Sequence, residues 1–169
     1  MTVNTLVFDR ELPSAMETVR AACEAGVDAL IVQDLGLARF IRQAAPDMPI
    51  HASTQMSLHN LSGVQLLEPF GYTRAVLARE MNAEEIAQVC RGTTMEIETF
   101  VHGALCMCLS GQCYLSAVAG ERSGNRGLCA QPCRLPFYAK KSTALRAFPQ
   151  GYEPDFPISM SCGRPACVL

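Results

Sequence analysis

Cysteines are the residues of this 169-residue sequence whose type and spacing most directly suggest chemistry, because five of its nine cysteines fall within residues 106–133. Thiolates at this density bind soft metals, carry redox chemistry or form disulfides. Iron–sulfur clusters need several thiolates that converge from loops, and the glycines of residues 103–127 permit a tight loop path. The spacing C-x6-C-x15-C-x3-C therefore indicates a metal or iron–sulfur site on Cys106, Cys113, Cys129 and Cys133.

Two other interpretations of these cysteines stay open. Zinc is the second candidate metal, but structural zinc prefers two tight C-x2–4-C pairs, and only Cys129 and Cys133 supply one. The alternative without a metal is a set of buried free thiols, since cysteine packs as a small hydrophobic residue. Cys108 lies two residues from Cys106 and is expected to point away from any ligand set.

The remaining composition argues against a disulfide framework and sets few limits on partners. The N-terminus lacks the basic flank and apolar core of a signal peptide, which predicts a cytoplasmic, reducing compartment, and the odd number of cysteines disfavours complete pairing. A net charge of −2 does not indicate a nucleic-acid partner, although basic residues gather between Arg122 and Arg146. No apolar run is long enough to span a bilayer, so no membrane partner is expected.

Polar side chains that could act as acids, bases or substrate contacts lie at or just after predicted strand ends, where parallel barrels build their active sites. A histidine there can transfer a proton near neutral pH, and a hydrogen-bonded structural histidine is the equally weighted alternative. Arg79 is either an ion-pair partner of Glu80 or a substrate contact. Positions 98 and 102 share one face of an extended strand, which favours a common role. The catalytic candidates are His51, Gln55, Arg79, Glu98 and His102.

The elements that must position these residues alternate between two periodicities over the first hundred residues. Short apolar runs predict strands, and 3.6-residue patterns with start and stop signals predict helices. Asn82 and Glu85 have the spacing of a capping box at the start of one helix. The predicted strands cover 2–8, 29–32, 49–54, 75–78 and 96–101, and the predicted helices cover 13–25, 35–45, 58–70 and 82–90.

This order predicts an α/β fold in which helices cover a parallel sheet, either doubly wound or barrel-like. Five strands before the cysteines are too few for an eight-stranded barrel, which typically needs about 250 residues. We therefore expect a partial TIM-barrel-like parallel βα repeat followed by a cysteine-rich, loop-rich segment. The expected domain spans residues 1–137 and includes a cysteine-rich motif at 98–133, and residues 138–169 form an irregular, proline-rich tail that is expected to be truncated.

One segment resembles a known protein family. The run from Glu98 through Gly103, Cys106, Gly111 and Cys113, with its intervening Ser-Gly and closing Leu-Ser, is similar to the signature of peptidase family U32, the collagenase-like proteases. Segments 24–34, 51–56, 77–80 and 122–127 resemble the family as well, so the resemblance covers about residues 2–137. The resemblance implies a TIM-barrel-like domain. Some members of the family resemble proteins of tRNA or 23S rRNA hydroxylation. Others resemble proteins of ubiquinone hydroxylation, which hold a 4Fe–4S cluster on four cysteines.

The sequence departs from the family pattern at both ends. Members normally carry two βα units before the segment that begins here, and residues 161–169 do not continue as members do. The chain is therefore expected to be a fragment, and the missing barrel portion belongs to the full-length protein. The resemblance assigns the 4Fe–4S cluster to Cys106, Cys113, Cys129 and Cys133, with Cys162 or Cys167 as an alternative fourth ligand.

Three functions follow from these observations. The first is an iron–sulfur protein of RNA hydroxylation, which takes an RNA substrate or a partner hydroxylation protein. The second is a U32 peptidase, although the sequence contains no Gly-x-Ser-x-Gly or His-Glu-x-x-His motif, and a Cys106–His102 pair would leave the other cysteines unexplained. The third is an inactive fragment whose cysteines are only structural.

Overall fold

Five parallel strands form one sheet, in the order β1-β2-β3-β4-β5, in the computed structural model, which describes residues 1–135. Five helices accompany them within this part of the chain. The strands are β1 (Thr2–Val3), β2 (Leu30–Val32), β3 (Ile50–Ala52), β4 (Tyr72–Val76) and β5 (Glu96–Glu98). The helices are α1 (Leu12–Glu24), α2 (Leu35–Ala44), α3 (Leu61–Leu67), α4 (Ala83–Gly92) and α5 (Leu115–Gly120).

The helices cover one face of this sheet. Strand neighbours follow the chain order, and right-handed crossovers between such neighbours place every connecting helix on the same side. The side chains of Leu30 and Ile50 pair across β2 and β3 and are fully buried, whereas those of Ile31 and His51, which pair one position later, are partly exposed. The strands lie side by side in chain order, without the reversal of a doubly wound sheet.

Side-chain caps fix where α2, α3 and α4 begin. Asn82 accepts hydrogen bonds from the backbone amides of Glu84 and Glu85, both at 3.0 Å, and the Glu85 carboxylate accepts from the Asn82 amide at 2.8 Å. This is the predicted capping box, and it satisfies amides that the first helical turn leaves unpaired. Asp34 and Asn60 cap α2 and α3 in the same way, through the amides of Leu37 and Gly63.

The α/β fold with a parallel sheet is confirmed, while several predicted boundaries were wrong. The helix predicted over 58–70 begins only at Leu61, because Asn60 caps it, and it continues into a short 3-10 turn at Glu68–Phe70. The strand predicted over 75–78 lies at 72–76, and the strand predicted over 2–8 ends at Val3. The predicted tail, with Cys162 and Cys167, lies outside the described residues. None of the helices that the structure describes is both long and apolar enough to cross a membrane.

Two leucines test whether the covered face supplies the stability of the sheet. Leu30 is fully buried in β2, and Leu66 is 66% exposed on α3. Leu30→Ala should lower the free energy of unfolding by about 2–5 kcal/mol, since it leaves a cavity, whereas Leu66→Ala should change it by less than about 1 kcal/mol. Denaturant unfolding followed by circular dichroism measures both values. Equal losses would contradict the assignment of the core to this face.

Candidate functional site

The cysteine-rich segment is attached to the carboxyl edge of the sheet through Ser110. This serine is fully buried, and its backbone amide donates to Glu80 Oε1 at 2.9 Å. Its hydroxyl lies 3.2 Å from both carboxylate oxygens of Glu80, which follows β4. Hydrogen bonds to a charged acceptor contribute more than neutral ones, so this contact is a strong attachment point.

The same hydroxyl holds Arg79. Ser110 Oγ accepts from the Arg79 backbone amide at 3.4 Å and from Arg79 Nε at 3.3 Å. A serine hydroxyl has one donor and two acceptor positions, and here Glu80 takes the donor and Arg79 takes both acceptors. The Arg79–Glu80 ion pair considered from the sequence does not form between the described side chains, because the Glu80 carboxylate faces His59 and Ser110 instead.

His59 completes this group on the other side of the carboxylate. Its Nε2 lies 3.2 Å from Glu80 Oε2, and its Nδ1 lies 2.7 Å from the carbonyl oxygen of Ser57. Burial raises the pKa of Glu80, but hydrogen bonds from the backbone amides of Glu80 and Ser110, then the Ser110 hydroxyl and His59, outweigh it and leave that pKa below its ordinary value. Glu80 is therefore an anionic acceptor at neutral pH.

Gly111 explains how closely the segment approaches the strand ends. Its φ of +73° is in the left-handed region, and a Cβ atom built on it would lie 2.0 Å from the carbonyl oxygen of Gln55, just after β3. Beside it, Gln33 Nε2 donates to the same carbonyl oxygen at 3.3 Å. Among the described residues, the buried Gln33 Oε1 has no hydrogen-bond partner. The edge of β2, β3 and β4 thus forms one polar surface beneath Ser110 and Gly111.

A second polar group lies on the helix-free face of the sheet. His51, Arg74 and Glu96 are register partners on β3, β4 and β5. Arg74 donates to Glu96 Oε2 through Nη2 at 2.6 Å and contacts Glu98 at 3.4 Å. Burial lowers the pKa of His51, and the Arg74 guanidinium lowers it further, against the opposing effect of Glu98 and Glu96. His51 is therefore a neutral imidazole near pH 7, which can accept a proton.

The five predicted catalytic residues do not lie together in the structure. Arg79 and the Gln55 backbone meet at Ser110 and Gly111, and His51 and Glu98 interact across the sheet. His102 is exposed in the loop after β5 and makes no side-chain hydrogen bond to residues 1–135. Their catalytic roles stay a prediction. Sequence reasoning did not find the part played by Ser110, whose burial no local pattern signals.

A second attachment joins the segment to the start of the chain. Arg126 donates to both carboxylate oxygens of Glu11, at 2.7 and 2.8 Å, and to the carbonyl oxygen of Leu6 at 2.7 Å. Its guanidinium also lies 4.9 Å from the centre of the Phe8 ring. The hydrogen bond from Arg126 is the main reason that the pKa of Glu11 falls from 4.5 to about 2. Residues 124–127 are thereby held beside the loop that follows β1.

Two of the predicted cysteine ligands precede α5 in the chain and two follow it. Burial raises the pKa of Cys108, and so do a hydrogen bond to Cys113 and the proximity of Cys106. The exclusion of Cys108 from the ligand set stays a prediction. Cys108 stands out as a thiol that sequence reasoning set aside.

Cys129 and Cys133 lie in the part of the chain that follows α5, and this part contacts the helix through Ser116. The buried Ser116 hydroxyl accepts from the Ala130 amide at 2.9 Å, which fixes the second loop against α5. Thiols are suitable ligands for iron or zinc. Within residues 1–135, however, no three His, Cys, Asp or Glu side chains are gathered closely enough to hold a metal ion. The 4Fe–4S site stays a prediction that rests on donor type and resemblance.

Two glycines separate the effect of backbone conformation from that of crowding. Gly26 and Gly111 have similar φ values of +72° and +73°, but a Cβ on Gly26 would meet no atom within 4 Å. Gly111→Ala should therefore destabilise the protein by at least about 1 kcal/mol more than Gly26→Ala. It should also speed hydrogen exchange at the Ser110 amide. Equal effects of the two substitutions would show that Ser110 and Gly111 are not docked on Gln55.

Comparison with known proteins shows which family the chain resembles. The sequence profile of peptidase family U32 matches residues 1–159. The chain is 43% identical, over 140 residues, to the 23S rRNA 5-hydroxycytidine C2501 synthase of Escherichia coli (strain K12), and 35% identical, over 161 residues, to tRNA hydroxylation protein P1 of Bacillus subtilis (strain 168). It is 33% identical, over 151 residues, to a collagenase of Porphyromonas gingivalis (strain ATCC BAA-308 / W83).

The matches cover most of this chain and a smaller part of each relative. They include 83%, 95% and 83% of this chain, and 21%, 38% and 36% of the synthase, protein P1 and the collagenase respectively. The solved structure of the U32 peptidase Mk0906 overlaps 59% of this chain and 41% of its own, at 20% identity and a TM-score of 0.48. Because the family profile matches nearly the whole sequence, the chain belongs to peptidase family U32.

Proposed function

We propose that this chain is part of an iron–sulfur protein that acts in the hydroxylation of RNA. The observation that carries the proposal is the similarity to the 23S rRNA 5-hydroxycytidine C2501 synthase, together with that to tRNA hydroxylation protein P1. Because the chain spans no more than about two fifths of these relatives, the active protein includes further chain. That remainder, a partner hydroxylation protein or both would complete the barrel and the active site.

The donor set supports iron rather than a harder metal. Cys106, Cys113, Cys129 and Cys133 supply only thiols, which prefer iron–sulfur clusters or zinc. Cys106 and Cys113 precede α5 in the chain and Cys129 and Cys133 follow it, so a shared cluster would need both loops to bring their thiols together. When bound, a 4Fe–4S cluster would supply one-electron redox chemistry next to the strand ends. Zinc on the same thiols is the alternative.

Residues of the sheet would handle the substrate in this proposal. His51 is neutral and half-buried, so it could accept a proton from a polarised group on a nucleobase. Glu98 contacts Arg74 across the open face, and the charges of both residues act on the pKa of His51. All cysteines of residues 1–135 are free thiols, which agrees with the reducing, cytoplasmic compartment that we propose for the protein.

A peptidase is the second candidate, because the chain is also similar to a collagenase. Serine nucleophiles need a base within hydrogen-bond reach and an accessible hydroxyl. Ser110 is fully buried, its hydroxyl is bonded to Glu80 and Arg79, and His59 contacts Glu80 rather than Ser110. No side-chain hydrogen bond joins Cys106 to His102 within residues 1–135. These contacts favour a role in RNA hydroxylation over peptidase activity.

Iron binding tests the cluster. Anaerobic reconstitution of the wild-type chain with iron and sulfide should give a broad absorbance near 400 nm, roughly the region of sulfur-to-iron charge transfer. Cys113→Ala should abolish it, because three thiolates leave one iron without a protein ligand. Cys90→Ala is the matched control, since Cys90 lies on α4, away from the cysteine-rich segment, and should retain full iron content.

Cys108→Ala decides which thiols belong to the set. Retention of iron would leave the four predicted ligands in place, whereas loss would show that Cys108, which contacts Cys113, replaces one of them. Wild-type protein that binds one zinc and takes up no iron and sulfide would contradict the cluster. Activity on collagen or gelatin that survives Cys113→Ala would instead favour the peptidase.

A further inference from the structure

The geometry points to Arg79 as a preformed receptor for an oxyanion of the substrate, which we assign to a phosphodiester of the RNA. The inference deepens the proposed function and rests on it for the identity of the ligand. It is carried by the way Arg79 is held at the carboxyl edge of the sheet. The presence of an oxyanion site can be tested without RNA.

The Arg79 side chain is fixed at one nitrogen. Its Nε donates to Ser110 Oγ at 3.3 Å, and Ser110 is in turn held by the Glu80 carboxylate. Its backbone amide uses the other acceptor position of that hydroxyl. Because the guanidinium group is planar, fixing Nε also fixes the plane in which the two terminal nitrogens lie.

Arg79 differs from Arg74 and Arg126 in what its terminal nitrogens contact. Arg74 directs its terminal nitrogens at Glu96 and Glu98, and those of Arg126 donate to Glu11 and the Leu6 carbonyl. For Arg79, neither Nη1 nor Nη2 donates a hydrogen bond to residues 1–135, and no carboxylate in that range lies within 4 Å of its charge. The fork of Arg79 is oriented and open.

An oriented guanidinium fork with both terminal nitrogens open binds a planar pair of oxygens, which phosphate and carboxylate groups present. Glu80 does not cancel this charge, because its carboxylate pairs with His59 and accepts from Ser110. Arg79 follows β4, at the strand ends where parallel α/β folds bind their ligands. Among the oxyanions of the proposed reaction, the phosphodiester is the one that every RNA substrate carries.

RNA binding tests the assignment directly. A fluorescently labelled, unmodified tRNA transcript is titrated with the chain at several salt concentrations. Arg79→Gln should weaken binding about tenfold and reduce the slope of log K against log salt by about one, since one phosphate contact is lost. Arg79→Lys keeps the positive charge but loses the paired terminal nitrogens of the guanidinium group. It should therefore weaken RNA binding and leave the slope of log K against log salt unchanged. Arg39→Gln is the matched control on α2 and should match wild type.

A second measurement separates this inference from the proposed function. The Arg79 Nε–H resonance of the wild-type chain is followed by NMR during titration with inorganic phosphate and, in a separate arm, with acetate. A saturable shift with phosphate, absent in Ser110→Ala, supports the oxyanion site. If phosphate binds and the tRNA transcript does not, Arg79 is an oxyanion site, but the assignment of its ligand to RNA is wrong. A stronger response to acetate would reassign the ligand to a carboxylate.

Two results would overturn the inference. One is tRNA binding by Arg79→Gln with the affinity and salt slope of wild type. The other is an Arg79 resonance that neither anion moves. Circular dichroism shows whether each variant is folded. If Arg79→Gln does not fold, the RNA-binding test is made with Arg79→Lys.

Discussion

The hydrogen-bonded contact between Glu80 and Ser110 is the interaction on which the rest of the site depends. It joins a residue that follows β4 to the centre of the cysteine-rich segment, and the partly exposed Glu80 carboxylate pairs with the amide and hydroxyl of the fully buried Ser110. A hydrogen bond to a charged group contributes about 1.5–3 kcal/mol, and an unpaired buried donor costs about 1–3 kcal/mol. The loop from Cys106 to Cys113 therefore has one strongly preferred position on the sheet.

The second half of the segment depends on a different ion pair. Arg126 and Glu11 form a two-pronged contact that holds the loop before Cys129 against the start of the chain. Because the pKa of Glu11 is lowered from 4.5 to about 2, the stabilisation from this pair is complete above about pH 4.5 and is lost as the pH falls towards 2. The parts of the chain before and after α5 are thus anchored at separate places, Ser110 on Glu80 and Arg126 on Glu11.

The sequence was sufficient for those features that depend on local pattern. The parallel βα order and the capping box of Asn82 and Glu85 follow from periodicity and chain order. Strand boundaries did not follow, because β4 is defined by pairing with β3 and β5 and contains an irregular register beside His51. The Asn60 cap shortened a helix whose apolar pattern extends further.

Contacts between residues distant in the chain could not be predicted from local sequence patterns. Glu80 and Ser110 are 30 residues apart, and a serine before a glycine has no pattern that signals complete burial. Cys108 was set aside because it lies two residues from Cys106, and the effect of Cys113 on its pKa is not visible in local spacing. Local spacing identified the thiols, whereas the contacts that hold their loops, such as Ser110 to Glu80, are tertiary.

A double-mutant cycle between Glu80→Gln and Ser110→Ala tests the central claim most directly. The free energy of unfolding is measured for wild type, both single variants and the double variant at neutral pH. If this contact holds the cysteine-rich segment on the sheet, the coupling energy should be about 1–2 kcal/mol, and Glu80→Gln should be additive, within about 0.5 kcal/mol, with the distant Glu17→Gln. Additivity of Glu80→Gln and Ser110→Ala would contradict the account.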